Sequence, residues 1–197
     1  MIYINFIQIY FVYIRFLFFT FFNFRPFNVV ITLLINKGSS MSLIVIGHSG
    51  SGKTTWSKKF CQENNYEYVD VDLYMDEICE RYGWKQLPVT ESSKLSDQYK
   101  VAICMQALSE HQGKNCVFDG IYFLSLPIAI LKAYQIVIVN PSHDVIIEQR
   151  RNRCKNHPRG KFKNLSDEQI DDLAKAMIVK YDSQIKDLIP YADDIVV

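Results

Sequence analysis

The sequence contains Gly47-His48-Ser49-Gly50-Ser51-Gly52-Lys53-Thr54, which satisfies the pattern G-x-x-x-x-G-K-[ST] at every fixed position. This pattern is typical of the phosphate-binding loop, or P-loop, when it joins a buried strand to a helix. The flanking residues agree, because Leu43–Ile46 has the composition of a short buried strand and residues 54–60 have that of a helix. The order strand, loop, helix therefore predicts a P-loop here.

The residue types of this loop indicate how it would hold a polyphosphate. Glycines lack Cβ, so the backbone at Gly47, Gly50 and Gly52 is expected to wrap closely around an anion and to adopt positive φ. The loop N–H groups form a nest for the anion, and the following helix adds the positive end of its dipole. We expect the bound nucleotide to contact Gly47, His48, Ser49, Gly50, Ser51, Gly52, Lys53, Thr54 and Thr55.

Two side chains of the motif have specific chemical roles. Lys53 is expected to reach the β- and γ-phosphates, and Thr54 offers a hydroxyl to Mg²⁺. The expected cofactors are therefore ATP and Mg²⁺.

Strand and helix patterns alternate from residue 43 to the end of the chain. Apolar runs predict strands at residues 43–46, 66–72, 115–119, 135–139 and 194–197. Ser166-Asp167-Glu168-Gln169 predicts a capping box that opens the last long helix. Alternating elements favour a parallel sheet with helices on both faces. We therefore predict an α/β protein with the three-layer α/β/α P-loop NTPase fold and a five-stranded parallel sheet.

Three carboxylates follow predicted strands, at the sheet edge where ligands bind in such folds. Asp70 and Asp72 end the second strand, and strand alternation would place them on the same side. Phosphoryl transfer to a hydroxyl needs a base that takes the proton of this acceptor hydroxyl, and we expect Asp72 to be that base. We expect Asp70 to help hold the acceptor or metal-bound water. Asp119 ends the third strand at the Walker-B position and is expected to bind Mg²⁺. Alternatively, the three carboxylates are ordinary acidic residues at the ends of strands, without a role in catalysis.

A basic run after the fourth strand predicts an Arg-rich lid. Arg150, Arg151 and Arg153 are expected to close over the phosphates and to stabilise the transferring group, since guanidinium forks suit phosphate oxygens. A solvated basic surface or a nucleic-acid patch would have the same composition. The spacing of His48, His143 and His157 indicates no metal site, and no role is predicted for them.

Composition narrows the functional class and the compartment. The 197 residues carry a formal net charge of +1, which gives no overall attraction to nucleic acid. The five cysteines form no C-x-x-C pair, so reduced thiols in a cytoplasmic protein are expected. Nucleic acid is therefore an open but less favoured partner, and the oligomeric state is not predicted.

Residues 1–40 differ in composition from residues 41–197, the predicted P-loop kinase domain. They contain no Asp or Glu, and residues 1–24 carry a single charge, Arg15. A membrane anchor fits the length, although Arg15 would lie in mid-span at a cost of about 2.5 kcal/mol or more. A secretory signal peptide is less favoured, because no A-x-A-like cleavage site follows this segment. The alternative to a membrane anchor is a misassigned start, with the working protein beginning at Met41.

The motifs taken together resemble a known group of enzymes. Their order along the chain resembles that of the P-loop kinases of the nucleoside/nucleotide and shikimate kinase group, which have an AAA-type P-loop kinase domain. The motifs in question are the P-loop, the acidic end of strand two, Asp119 and the run Arg150, Arg151 and Arg153. Asp72 with the basic run resembles uridine kinase-like enzymes. Residues 50–56 with Asp72 resemble polynucleotide 5′-hydroxyl kinase domains, in which the matching Asp is the general base. The chain departs from shikimate kinase in lacking a Gly-Gly-Gly turn after strand three.

The resemblance and the motifs imply an ATP- and Mg²⁺-dependent phosphotransferase that acts on a hydroxyl or phosphate of a small molecule, nucleoside or nucleotide. The acceptor is expected to bind along residues 76–98. One alternative is a polynucleotide 5′-hydroxyl kinase of RNA repair. Another is a regulatory ATPase without an acceptor, although Gly120 stands where hydrolytic relatives usually place a Glu.

Overall fold

The computed structural model describes residues 41–81, 97–156 and 165–197. The chain divides into a unit Met1–Lys37, which lies outside the described residues, and a unit Gly38–Val197 that contains all of them. The expectations for residues 1–40, for most of the acceptor segment 76–98 and for the lid residues 157–164 also fall outside the described part. Within the described ranges, no helix is long and apolar enough to cross a membrane.

Strands and helices alternate along the described chain, as predicted. The strands are β1 (Leu43–Ile46), β2 (Glu67–Asp70), β3 (Cys116–Asp119), β4 (Gln135–Val139) and β5 (Asp194–Val196). The helices are α1 (Lys53–Asn64), α2 (Val71–Arg81), α3 (Asp97–Glu110), α4 (Ile128–Leu131), α5 (His143–Asn156) and α6 (Asp167–Leu188). Two short 3₁₀ segments, Ile121–Ser125 and Ile189–Tyr191, precede α4 and β5.

The five strands form one parallel sheet in the order β2-β3-β1-β4-β5. The strand that leads into the P-loop is therefore central, and its four residues are all buried. Parallel strands buried on both faces are expected to be continuously apolar, which explains the sequence Leu-Ile-Val-Ile at β1. This arrangement confirms the predicted α/β class and the five-stranded parallel sheet.

Alternate side chains of the strands point to opposite helical layers. One layer is formed around α1, where Cys61, Trp56 and Phe60 pack against apolar strand residues. These strand residues are Leu43, Val45, Val117, Val137 and Val139. On the other face, Phe118 contacts the ring of Phe123 and the ring of His111, just after α3. The sheet is thus covered on both sides, so its carboxyl edge is the place left for a ligand.

The last long helix begins with the capping box that its sequence predicts. The Ser166 hydroxyl accepts from the backbone N–H of Gln169, and the Gln169 side chain accepts from the N–H of Ser166. The helix buries one stripe of side chains, as amphipathic spacing requires: Ile170, Ala174, Ile178, Ile185 and Leu188. This cap fixes where α6 begins and therefore which residues it presents to α5 and the P-loop.

Candidate active site

The P-loop is shaped by glycines with two different functions. Gly50 and Gly52 have φ of 93° and 89°, which ordinary residues rarely adopt. Gly47 is absent from the positive-φ residues of the described chain, so the prediction of positive φ was wrong there. A Cβ on Gly47 would lie 2.2 Å from the carbonyl oxygen of Val139. Gly47 therefore allows the loop to pass directly over the end of β4.

The remaining loop residues differ in their exposure to solvent. Ser49 is half-buried, Ser51 is buried and Thr55 is exposed on the first turn of α1. The backbone carbonyl of His48 accepts from the N–H of Ser51 at 3.0 Å. The same carbonyl accepts from Lys53 Nζ at 2.9 Å, so two parts of the loop converge on one oxygen.

Lys53 lies among acidic groups at the base of the loop. Burial lowers the pKa of Lys53, while the charges of Asp119 and Asp72 oppose this change and Arg153 adds to it. Desolvation strengthens the attraction of the Lys53 ammonium for an anion, whereas the two carboxylates weaken it. Its present partner is a neutral carbonyl, which a phosphate oxygen can replace with a charge-assisted hydrogen bond.

Thr54 and Asp119 meet where the sequence predicts the Mg²⁺ ligands. Thr54 Oγ1 donates to Asp119 Oδ2 at 2.8 Å, joining the P-loop helix to the end of β3. Asp119 is 4% exposed, and this burial raises the pKa of its carboxyl, partly offset by Lys53 and by the hydroxyl of Thr54. A hydroxyl and a buried carboxylate are hard oxygen donors of the kind that Mg²⁺ prefers. These two residues fit the ion.

Tyr68 is a site residue that the sequence reasoning missed. Its hydroxyl donates to Asp119 Oδ2 at 3.2 Å and approaches Asp70 Oδ2 at 3.4 Å. Burial, together with the nearby charges of Asp119 and Asp70, holds the pKa of Tyr68 well above its usual value, so the phenol keeps its proton. Its position two residues before Asp70 on β2 is a signal that could have been used, because alternate strand residues share a face.

Asp70 and Asp72 occupy different elements, which corrects the prediction that one strand carries both. β2 ends at Asp70, and Val71 begins α2. Asp70 Oδ1 accepts from the N–H groups of Asp72 at 3.0 Å and of Leu73 at 3.2 Å. Asp70 thus caps the N-terminus of α2, as aspartates commonly do. In the sheet it lies directly beside Asp119, so its carboxylate still faces the site.

Asp72 is located in the first turn of α2. The residue is exposed to solvent, but nearby protein atoms partly desolvate its carboxyl, and this desolvation raises its pKa to about 6. The charges of Lys53 and Arg153 lower this pKa, and those of Asp70 and Asp119 raise it. The charges of Asp70, Asp119 and Arg153 therefore act on Asp72 and on Lys53 alike.

The three predicted clamp arginines have three different environments on α5. Arg150 is buried, and a Cβ on Gly50 would lie 2.8 Å from its Cγ, so its stem supports the P-loop from below. Arg151 forms a two-pronged ion pair with Asp171 of α6. Arg153 is exposed, and its charge acts on both Lys53 and Asp72. The structure therefore brings Arg153 towards the site and directs Arg151 to α6.

Two histidines that received no predicted role come together beside the P-loop. His48, within the loop, and His143, at the start of α5, both face Asp182 in the middle of α6. Residues 95 positions apart in sequence carry no local spacing signal, which is why this group was not found. His157 lies outside the described residues.

Comparisons with known proteins show similarity to one family model and to solved structures. Residues 43–122, less than half of the chain, match a family described as an AAA domain. A shikimate kinase from Bacteroides thetaiotaomicron aligns with a TM-score of 0.58 and 20% identity, over 79% of this chain and 85% of that one. A shikimate kinase from Acinetobacter baumannii in complex with shikimate aligns at 0.54 and 16%, over 81% and 84%. No curated protein matches the sequence.

At these identities the likeness concerns the fold. The chain has the three-layer architecture of the shikimate kinases and resembles the P-loop kinases, as its motifs indicate.

Proposed function

Starting from a P-loop kinase fold, we propose that this chain is a kinase that transfers the γ-phosphoryl group of ATP, with Mg²⁺, to a hydroxyl of a small-molecule acceptor. The observation that carries the proposal is the convergence of Thr54, Asp119 and Lys53 at the carboxyl edge of the sheet. The position of Asp72 beside this group supports a hydroxyl acceptor, since a phosphate acceptor would need no base.

Each residue would have a defined part in the transfer. The P-loop N–H groups and Lys53 bind the phosphates. To do so, Lys53 gives up its hydrogen bond to the His48 carbonyl and donates to a phosphate oxygen instead. Thr54 and Asp119 hold Mg²⁺, which when bound neutralises charge on the phosphoryl oxygens. Tyr68 orients the Asp119 carboxylate through its hydrogen bond.

The chemical step itself needs one proton acceptor and positive charge around the transferred group. Asp72 takes the proton of the acceptor hydroxyl as that oxygen attacks the γ-phosphorus, and ADP leaves. Arg153 stabilises the charge on the equatorial oxygens. Positioning and electrostatics supply most of the rate, because the protein forms no covalent bond with the phosphoryl group.

The test is transfer of label from γ-labelled ATP with Mg²⁺ by the full chain. The acceptor panel contains nucleosides, nucleoside monophosphates, small polyols, shikimate and 5′-hydroxyl oligonucleotides, and Lys53→Ala serves as the blank. Label on one small-molecule class that disappears in the blank supports the proposal and names the acceptor. Transfer only to oligonucleotides would favour a polynucleotide kinase. Phosphate release without any labelled acceptor, again lost in the blank, would favour a regulatory ATPase.

A further inference from the structure

Three side chains from distant parts of the sequence form a group beside the P-loop. His48 comes from the loop itself, His143 from the first turn of α5 and Asp182 from the middle of α6. One potential ligand atom from each residue lies within 4.8 Å of the other two. The kinase mechanism uses none of these three side chains.

The distances match the edges of a small coordination polyhedron. Asp182 Oδ1 lies 3.4 Å from His143 Nε2 and 3.7 Å from His48 Nε2. Ligand atoms bound to zinc at about 2.0–2.1 Å in a tetrahedron lie about 3.3 Å from one another. Small side-chain shifts would therefore bring all three atoms onto one ion.

His48 supplies a second, independent observation. The residue is 1% exposed, yet neither ring nitrogen has a partner within hydrogen-bond distance among the described residues, since Asp182 Oδ1 lies 3.7 Å from Nε2. Buried polar atoms of folded proteins are nearly always partnered, and an exception calls for a missing ion or water.

Asp182 is held in the orientation that a ligand needs. Lys186 Nζ binds its second oxygen, Oδ2, at 2.6 Å, which leaves Oδ1 facing the two imidazoles. Groups that fix a ligand from outside the coordination shell are a regular feature of protein metal sites.

We propose that His48, His143 and Asp182 form a binding site for Zn²⁺ or a similar late first-row divalent ion. Two imidazole nitrogens and one carboxylate oxygen suit such ions, whereas Mg²⁺ prefers an all-oxygen shell. The site is therefore distinct from the Mg²⁺ position at Thr54 and Asp119. Its effect is to tie the P-loop to α5 and α6, at the residue whose carbonyl holds Lys53.

The test measures metal affinity of the full chain, without any activity assay. Apo protein competes for Zn²⁺ with a chromophoric chelator in the presence of millimolar Mg²⁺. We expect one equivalent to bind, and His143→Ala and Asp182→Asn to weaken binding at least 10- to 100-fold. His143 is about half exposed, so its variant should fold even where Asp182→Asn does not. Zn²⁺ should also raise the Tm of the wild type and not that of His143→Ala.

The matched control is His111→Ala, which removes a histidine that likewise lies near one carboxylate, Glu67, but far in sequence from the proposed ligands. This variant should bind Zn²⁺ as tightly as the wild type. The proposal is overturned if the wild type binds no more tightly than His143→Ala, or if His111→Ala loses affinity to the same extent.

Discussion

Asp72 combines exposure to the cleft with a raised pKa, and this combination suits a residue that takes a proton and releases it. We expect Asp72→Asn to lower turnover by about 10²- to 10⁴-fold, the usual contribution of general base catalysis, and to leave the Kd for ATP within about two-fold. The measurement is kcat with the identified acceptor, together with ATP binding by calorimetry. Asp187→Asn, which makes the same change at an exposed carboxylate of α6 outside the site, is the control and should retain full turnover. Unchanged turnover in Asp72→Asn would remove the base assignment.

Gly50 is constrained in two ways that can be separated experimentally. Its φ of 93° is unfavourable for any other residue, and an added Cβ would lie 2.8 Å from Arg150 Cγ. Gly113 has a similar φ of 82°, but an added Cβ would meet no atom within 4 Å. Gly50→Ala should therefore destabilise the fold by about 1–3 kcal/mol and weaken ATP binding.

Gly113→Ala is the matched control for that experiment. It should pay only the backbone cost, about 1–2 kcal/mol, and bind ATP normally. Urea unfolding and ATP titration of both variants provide the comparison. Equal effects of the two variants on ATP binding would show that contact with α5 is irrelevant to the loop.

Two arginines of helix α5 interact with different parts of the protein. Arg151 is engaged by Asp171 of α6, while the charge of Arg153 acts on Lys53 and Asp72. We expect Arg153→Gln to lower kcat by about 10²-fold or more, as does loss of one donor to a transition-state charge. Arg151→Gln should leave kcat within about two-fold. Steady-state kinetics of the two variants decides, and the opposite ranking would exchange their roles.

The capping box at the start of α6 gives a prediction about stability alone. Ser166→Ala removes the hydroxyl that accepts from Gln169, and should lower the free energy of unfolding by about 1 kcal/mol. Ser183→Ala, an exposed serine farther along the same helix, should have little effect. Urea denaturation measures both. A loss of activity in Ser166→Ala at temperatures where it is folded would indicate that the cap also positions the site.

What the sequence predicts well at this scale is local. The P-loop, the ends of β1 and β4 and the capping box depend on residues within a few positions of one another, and all were placed correctly. The end of β2 was predicted two residues too late, because the capping role of Asp70 competes with strand alternation. The environment of Arg151 depends on Asp171, a residue of another helix, and a pattern of charges does not reveal such a partner.

For the whole molecule, strand composition predicts a parallel sheet but not the order β2-β3-β1-β4-β5. That order depends on which apolar faces pack together, and the strands have nearly the same composition. It decides the site, since Asp70, Asp119 and the P-loop come together only when β3 lies between β2 and β1. The meeting of His48, His143 and Asp182 has the same origin.

The acidity of Asp72 also has a consequence for global stability. Its pKa of about 6 in the folded chain exceeds the ordinary value of 3.8, so the folded state binds more protons between these pH values. By linkage, its contribution to stability falls as the pH rises from about 4 to 6, and the cost remains above that range. Asp72→Asn should therefore melt higher than the wild type at pH 7, by at most about 3 °C because the group is exposed.

Thermal melting of both proteins between pH 4 and pH 8 is the measurement. The difference in Tm should shrink as the pH falls from about 6 to about 4, where the carboxyl of the folded state becomes protonated, and approach zero only below the ordinary value of 3.8. A variant that is less stable at pH 7 would show that the ionised Asp72 contributes favourably to the fold.

The central position of β1 determines when this protein can fold during its synthesis. Leu43 pairs with Val117 on one side and with Gln135 on the other, so β1, the first of the described strands, waits for partners more than 70 residues later. At about 5–20 residues per second, a ribosome needs roughly 4–14 s to make that stretch. Throughout this time an apolar strand with two bare edges is exposed to other nascent chains. We therefore expect truncated chains that end before Val139 to depend on chaperones and to aggregate.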